Sequence, residues 1–553
     1  MRIRTLVLAI LLGLTFASPA AAQGGPPAAP EGTGRIAGLV TRGDTGRPIG
    51  GATIRLVQWV GGVGYQKAAR TDARGRFEFT KLPAGSYQVT AQAEGVVSLE
   101  YGQRRPSEPG VRIELIDGQN FEDADIKLPK TSAIEGRLLD EFGDPVPGVM
   151  VQVAQVQFAA GKRRLMPMGG PAANARPTDD LGQFRVSNLA PGDYYLLALC
   201  GPFAAATDSP GFAVTYYPGT AAPPEAKPVR VAAGQDVNGV TFAMTPAPMA
   251  AISGVTLDAD GQRLPRAEVM LIATSGGDVR TLAMGRMPSG PDGSFTFRNV
   301  AYGTYVIQAY GRPVGGGNLG KAPFGALPLV VAGDRDDLRV QILTGAVVRG
   351  RILFEGDAPR PAPNRVMVTA APVEFVSGPL GGGPPNTVTH EDWTFDVQNM
   401  QGLGVIRPNI GAPGWILKSV MAGGRDVTDA AVDFRKGDVN DVEITLTSRA
   451  SAVSGSVMDG DIPARDYAVV LFADDAASWT FPSRFLAVAR PAPQGGFRIA
   501  GLPPAAYLAV ALPSVSNFEF QDPEFLQALR PFATRVVLNE GDTKTIALGI
   551  IKR

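Results

Sequence analysis

The tripeptide I-x-G returns along this chain at domain-sized intervals: Ile36-x-Gly38, Ile134-x-Gly136 and Ile252-x-Gly254. Val348-x-Gly350 and Val453-x-Gly455 continue the series with valine in the first place. The glycines stand 98, 118, 96 and 105 residues apart, so one unit is written five times. An internal period settles architecture before local propensity does.

Two further markers keep their order within each unit. One is a hairpin, fullest as Thr71-Asp72-Ala-Arg-Gly75-Arg-Phe77-Glu-Phe79 followed by Leu82-Pro-Ala-Gly85-Ser-Tyr87-Gln-Val89-Thr-Ala91. Asp caps the turn, Gly takes the positive φ, and the apolar residues alternate with period two, which is the mark of a half-buried strand pair. It returns around Asp180-Leu-Gly182 with Phe184 and Tyr194, around Asp292-Gly293 with Phe295 and Tyr305, and around Gly496-Phe497 with Tyr507. The fourth unit departs: Asp392-Trp393-Thr-Phe395 lacks the glycine, and Pro413-Gly414-Trp415 stands where the others have tyrosine. The last marker is a closing strand opened by Gly118-Gln119, Gly234-Gln235, Gly333-Asp334, Gly437-Asp438 and Gly541-Asp542, at 80, 98, 79, 87 and 86 residues from the I-x-G glycine.

Helical periodicity is confined to Glu524–Arg530, which has room for two turns. Many short strands with frequent turns predict an all-β chain of five tandem antiparallel β-sandwich domains of about seven strands each. The expected boundaries are 33–129, 130–246, 247–343, 344–448 (divergent) and 449–553, after a signal peptide at 1–22 and a linker at 23–32. The short connections, such as Pro129 to Ala133, predict an extended or gently curved array.

The first 22 residues read as an export signal: Arg2 and Arg4, an apolar run from Leu6 to Phe16, and Ala20-Ala21-Ala22 before Gln23. That run is too short for a membrane span. The expected location is therefore outside the cytoplasm: periplasmic, outer-surface associated or secreted. Cys200, placed by the pattern in a buried strand, is the only cysteine, so each unit must rest on its own core. Lys plus Arg and Asp plus Glu balance at 52 each, which argues against a nucleic-acid partner.

These markers resemble the carboxypeptidase regulatory-like domain, a transthyretin-like (Ig-like) sandwich found in tandem in exported bacterial proteins. The matching pattern is I-x-G-x-V, then G-x-P-x-x-G-A, then T-D-x-x-G-x-F-x-F-x-x-L-x-P-G-x-Y. Gly46-x-Pro48-x-x-Gly51-Ala52, Thr71–Phe79 and Leu82–Tyr87 carry it almost completely, and the later units carry it with losses, the fourth most of all. The resemblance implies an accessory module that spaces, stabilises or binds, on a carbohydrate-binding-like fold. It resembles the companion domain of a metallocarboxypeptidase and not the catalytic one.

The residues carry little chemistry. A zinc peptidase needs at least two imidazoles and a carboxylate, and His390 is the only histidine. His390 reads as a polar turn residue, and Asp258-Ala-Asp260-Gly261 as a hairpin turn that lacks a calcium loop's distal glutamate. No metal, cofactor or catalytic group is expected. Aromatic residues outside the repeated core positions are the candidates for stacking on sugar: Trp59, Tyr216, Tyr217 and Trp479. Lys162-Arg163-Arg164 reads as a solvated basic loop able to meet an anionic partner. The functional expectation is a non-catalytic scaffold or interaction protein of the cell envelope, whose partner is an envelope protein or glycan. The alternative is a carbohydrate-binding protein using those aromatics.

Overall fold

A computed structural model describes residues 31–60, 63–103, 105–106, 108–159, 162–168, 177–199, 211–274, 282–311, 322–373, 386–410, 414–492, 495–516 and 519–551. The export signal, Cys200 and the glycine runs at 315–317 and 381–383 lie outside the described residues.

The all-β class is as expected, and every repeat is built the same way. The I-x-G strand is central in one sheet. In the first repeat Gly34–Arg42 pairs antiparallel with Arg76–Leu82 and parallel with Asn120–Phe121 and Ile126–Leu128. The second places Ser132–Leu139 between Gln183–Leu189 and Val237–Ala243. Met249–Leu257, Ala346–Glu355 and Ser451–Asp459 hold the same place in the later repeats. The closing strand always runs parallel to the opening one. This departs from a purely antiparallel sandwich, and follows because the last strand crosses over to lie beside the first. The opposite sheet is antiparallel throughout, in the spatial order Leu282–Pro288, Glu268–Ala273, Gly303–Tyr310 and Phe324–Val331.

That central position explains the glycine of I-x-G. A Cβ on Gly38, Gly136, Gly254, Gly350 or Gly455 would collide with the closing strand's backbone oxygen at Ala124, Val240, Leu338, Val442 or Ile546 respectively. Only a hydrogen atom fits between these two backbones. The preceding Ile or Val points into the core at 0% exposure in all five repeats. The hairpin strand shares a second irregularity. Lys81, Asn188, Asn299, Asn399 and Gly501 all take positive φ where the pairing register shifts, which is a bulge present in every copy.

The cores are aromatic and aliphatic and lie between the two sheets of each repeat. Phe77 and Phe79 meet edge to face at 6.1 Å, and Phe295 and Phe297 stand 6.0 Å apart. Tyr87, Tyr194, Tyr305 and Tyr507 each donate a hydroxyl hydrogen bond to the carbonyl four residues earlier, at 2.6, 2.8, 2.8 and 2.8 Å. Each buries a ring and pins the start of its own strand. Burial pushes Tyr87, Tyr194 and Tyr305 up to about 12, because the charged phenolate would lose its hydration.

The fourth repeat corrects two expectations. Val405 occupies the position of the strand tyrosine, since Leu403–Ile410 is the strand equivalent to Gly85–Gln92. Trp415 lies further on, buried, with its indole N–H donated to the Pro359 carbonyl at 3.0 Å. Trp393 takes the turn glycine's place at φ +67, close to the +75 of Gly75 and Gly293, and its ring packs 4.5 Å from Phe354. In the second repeat the capping carboxylate is Asp179, which accepts from the amides of Leu181 and Gln183, and not its neighbour Asp180.

The sandwiches are strung out and not fused. Each repeat keeps its own hydrophobic cluster between its own two sheets. The string is not straight, however. Arg163 of the second repeat donates to Asp522 of the fifth at 2.6 Å, and Glu108 of the first lies 3.8 Å from Arg490 of the fifth. Neighbours are also fixed to one another. Arg484 of the fifth repeat grips Asp429 of the fourth with three hydrogen bonds of 3.0–3.1 Å, and Arg407 joins the same carboxylate at 2.9 Å.

Candidate functional site

The residues singled out from the sequence do not converge. Trp479 is 5% exposed: its indole N–H donates to the Ala473 carbonyl at 2.8 Å, and Phe472 stands edge-on at 5.6 Å. Arg530 lies 6.0 Å over its ring, so only an edge reaches a shallow depression beside Pro523 and Gln527. Tyr216 is 2% exposed, and half-buried Tyr217 packs edge-on against Phe242 at 5.8 Å. Trp479 and Tyr216 are buried in packing, and Tyr217 gives one edge of its ring to it. Trp59 lies on Thr53–Val60, paired with Gly64, and its side chain lies outside the described residues.

His390 is an exposed turn residue whose Nε2 lies 3.0 Å from Asp396. Gln398 and then His390 hold the Asp396 carboxyl below its ordinary range. Asp258 closes its hairpin as expected by accepting from the amides of Asp260 and Gln262 at 3.0 and 2.8 Å. The basic segment is not a loop: Lys162–Pro167 is a strand of a hairpin with Met150–Ala159. Its Arg163 is engaged with Asp522, whose other oxygen caps the helix Pro523–Leu529 by accepting from Glu524 N at 3.0 Å.

A larger feature lies where the first, second and fifth repeats meet. A cleft of about 910 Å³ opens there, within the range of roughly 300–1,000 Å³ that small-molecule sites occupy. The first repeat contributes Asp44, Glu100, Tyr101, Gln103, Asp125 and Lys127; Lys130 and Gly234 come from the second, and Arg465, Asp466 and Arg490 from the fifth. All but Lys127, which is mid-strand in Ile126–Leu128, lie at a strand end or in a turn or connection, so the sandwich scaffolds aim loop groups at a shared space. Four carboxylates face four cations, and the lining is balanced in charge.

Arg490 is the unusual member. Its side chain is 7% exposed, and its Nη2 donates to Asp466 at 3.0 Å. Its Nε and Nη1 have no hydrogen-bond partner in the protein, nor has Oε2 of Glu108, which is 4% exposed. At 3.8 Å the two form an ion pair without a hydrogen bond, although such buried groups are almost always bonded. Around them Gln103 donates to the Glu108 carbonyl at 2.7 Å and accepts from Glu100 N at 2.7 Å. Tyr101 is half-buried and raised in pKa, first by desolvation and then by Asp123 and Asp125. Its ring meets Phe121 edge-on at 5.8 Å. Sequence reasoning missed this cleft, because Glu108 and Arg490 stand 382 residues apart with no local motif around either.

Among the described residues no helix is long and apolar enough to cross a membrane, and no group of three His, Cys, Asp or Glu is placed to hold a metal ion.

Residues 35–128, within the first repeat, match the family model of the carboxypeptidase regulatory-like domain. No curated protein matches the chain significantly. Among solved structures the chain is similar to a streptococcal ancillary pilin at 16% identity, covering 56% of this chain and 98% of the pilin, with a TM-score of 0.18. A minor pilin of Streptococcus agalactiae aligns at 17% identity over 39% of this chain and 97% of its own, with a TM-score of 0.24. The TIE protein of Bacillus anthracis aligns at 12% over 72% and 69%, with a TM-score of 0.14.

Proposed function

We propose that this protein is a non-catalytic scaffold of the bacterial cell envelope, exported on the 1–22 signal and made of five sandwiches at 33–129, 130–246, 247–343, 344–448 and 449–553. The observation that carries the reading is the placement of its polar chemistry. Carboxylates close turns, as Asp72, Asp179 and Asp258 do, or bridge repeats, as Asp429 and Asp522 do. Groups used in this way hold a shape. The bridging cluster of Arg407, Arg484 and Asp429 supports a rigid display of one sandwich against the next, since bidentate arginine pairs fix geometry. The carboxypeptidase regulatory-like domain at residues 35–128 fits an accessory role.

Two measurements on one preparation test this. Expression in a Gram-negative host should place the chain outside the cytoplasm with Gln23 as its first residue. The purified chain should turn over no peptide, ester or glycoside in a hydrolase panel. Cytoplasmic retention of an uncleaved chain would overturn the exported role. Turnover that a single substitution abolishes would overturn the non-catalytic one.

A further inference from the structure

The closing strand of the second repeat carries a reactive pair that the scaffold role does not use. Asn238-Gly239 is the only Asn-Gly in the chain. We infer that Asn238 is a self-modification site, where the native chain turns asparagine into a mixture of aspartate and isoaspartate without an enzyme.

Its position leaves the pair in the open. Val237–Ala243 is the edge strand of its sheet, flanked among the described residues by Ser132–Leu139 on one side alone. The ladder passes from Val237 opposite Ile134 to Val240 opposite Gly136, so two residues bulge where the central strand supplies one. Neither of the two has a cross-strand partner. Asn238 and Gly239 are both exposed, and a Cβ on Gly239 would meet no atom within 4 Å. The asparagine side chain and the next backbone nitrogen can therefore meet without displacing core residues.

Gly239 supplies the second requirement. It stands at φ +77, where glycine is at ease, and with no side chain it leaves its own nitrogen unshielded. That nitrogen, after losing its proton to solvent base, attacks Cγ of Asn238. The new N–Cγ bond closes a five-membered succinimide. The Cγ–Nδ2 bond breaks, and Nδ2 leaves as ammonia with a proton taken from water. One water then opens the ring. Addition at Cγ gives aspartate, and addition at the main-chain carbonyl carbon of residue 238 gives isoaspartate, with the chain rerouted through the side chain. One water is consumed, one ammonia is released, and nothing is oxidised or reduced.

The site also tolerates its product. The third repeat holds Asp336-Asp337 in the same two places, between Arg335 opposite Ile252 and Leu338 opposite Gly254. The fourth repeat offers an internal comparison. Asn440-Asp441 fills the equivalent bulge with Asp441 at φ +55. There the Cβ of Asp441 crowds the attacking nitrogen, and Arg349 donates to the Asn440 amide oxygen at 3.3 Å.

The test keeps the mature full-length chain native in mildly alkaline buffer and maps its peptides by mass spectrometry, resolving the Asn, Asp and isoAsp forms. Both products should appear at residue 238, about tenfold or more faster than any conversion of Asn440. Gly239→Ala should slow the conversion by a similar factor. The comparison with Asn440 needs no substitution and stands should that variant fail to fold. Three results would each overturn the inference: Asn238 intact in the native chain while it converts in the urea-unfolded one, Asn440 converting as fast as Asn238, or Gly239→Ala converting at the parent's rate.

Discussion

Replacing Gly455 by alanine tests the repeat's defining contact. A methyl group there meets the Ile546 backbone oxygen and comes within 2.9 Å of Cε1 of Phe497. Neither obstacle is the loose end of a flexible side chain, so relief requires the closing strand Thr543–Gly549 to move away. Overpacking of this kind costs about 1–3 kcal/mol. Loss of ladder hydrogen bonds adds about 1 kcal/mol for each bond broken. Gly549→Ala is the matched control: it lies on the same closing strand, pairs with Met458, and its new methyl would meet no atom within 4 Å. That substitution should stay within about 0.5 kcal/mol of neutral. Because five sandwiches need not melt together, the assay is hydrogen exchange read by mass spectrometry on peptides from 451–459 and 543–549, alongside calorimetry. Gly455→Ala should lower the melting of the fifth repeat by at least about 4 °C, since 1 kcal/mol moves a domain of this size by roughly 4–8 °C. Equal behaviour of the two variants would refute the steric reason given for I-x-G.

Three other outcomes follow from the same geometry. At the turn of the fourth repeat, Trp393→Ala keeps the left-handed backbone and loses the Phe354 contact, whereas Trp393→Gly loses the contact and relieves the φ. Chemical denaturation should find Trp393→Gly the more stable by about 1 kcal/mol, reversing the usual order of these residues. The strand tyrosines set an alkaline limit. Their folded pKa values, about 12 for Tyr87, Tyr194 and Tyr305, lie above the unfolded value of roughly 10, so the unfolded chain releases these protons first. Stability from these groups is full below about pH 10 and falls as pH rises toward 12; ultraviolet titration should show them ionising only together with unfolding. Trp415→Phe removes the donor to the Pro359 carbonyl, which water can partly replace, and should cost the fourth repeat about 1 kcal/mol by the same calorimetry.

The fold was legible because its markers are local. Ile36 with Gly38, Phe77 with Phe79, and Tyr87 with Val89 each lie two residues apart on one strand, and a strand's period of two turns such spacing directly into burial. The parallel closing strand was not legible, since direction depends on a crossover that no tripeptide encodes. The turn role of Trp393 was not legible for a related reason: nothing in the sequence says that a tryptophan stands in for the turn glycine, and only the backbone shows it. Tyr216 and Trp479 looked like surface candidates because they fall in segments between repeated markers, yet those segments fold back and bury them against Leu197 and Phe472. The cleft was invisible for a deeper reason. Its walls are turns from three sandwiches, and turn residues carry no pattern that reports which distant turn they will face.

The account stands or falls on the bend that brings the fifth repeat back to the first two. Small-angle scattering of the mature chain, compared with an Arg163→Glu/Arg490→Glu double variant, measures it directly. Both substitutions place like charge against Asp522, Glu524, Glu108 and Asp466, so they should release the contacts while leaving each sandwich folded. The account predicts a shorter maximum dimension for the parent chain and a clear lengthening in the variant. A parent chain already as long as five sandwiches laid end to end, and unchanged by the two substitutions, would contradict it.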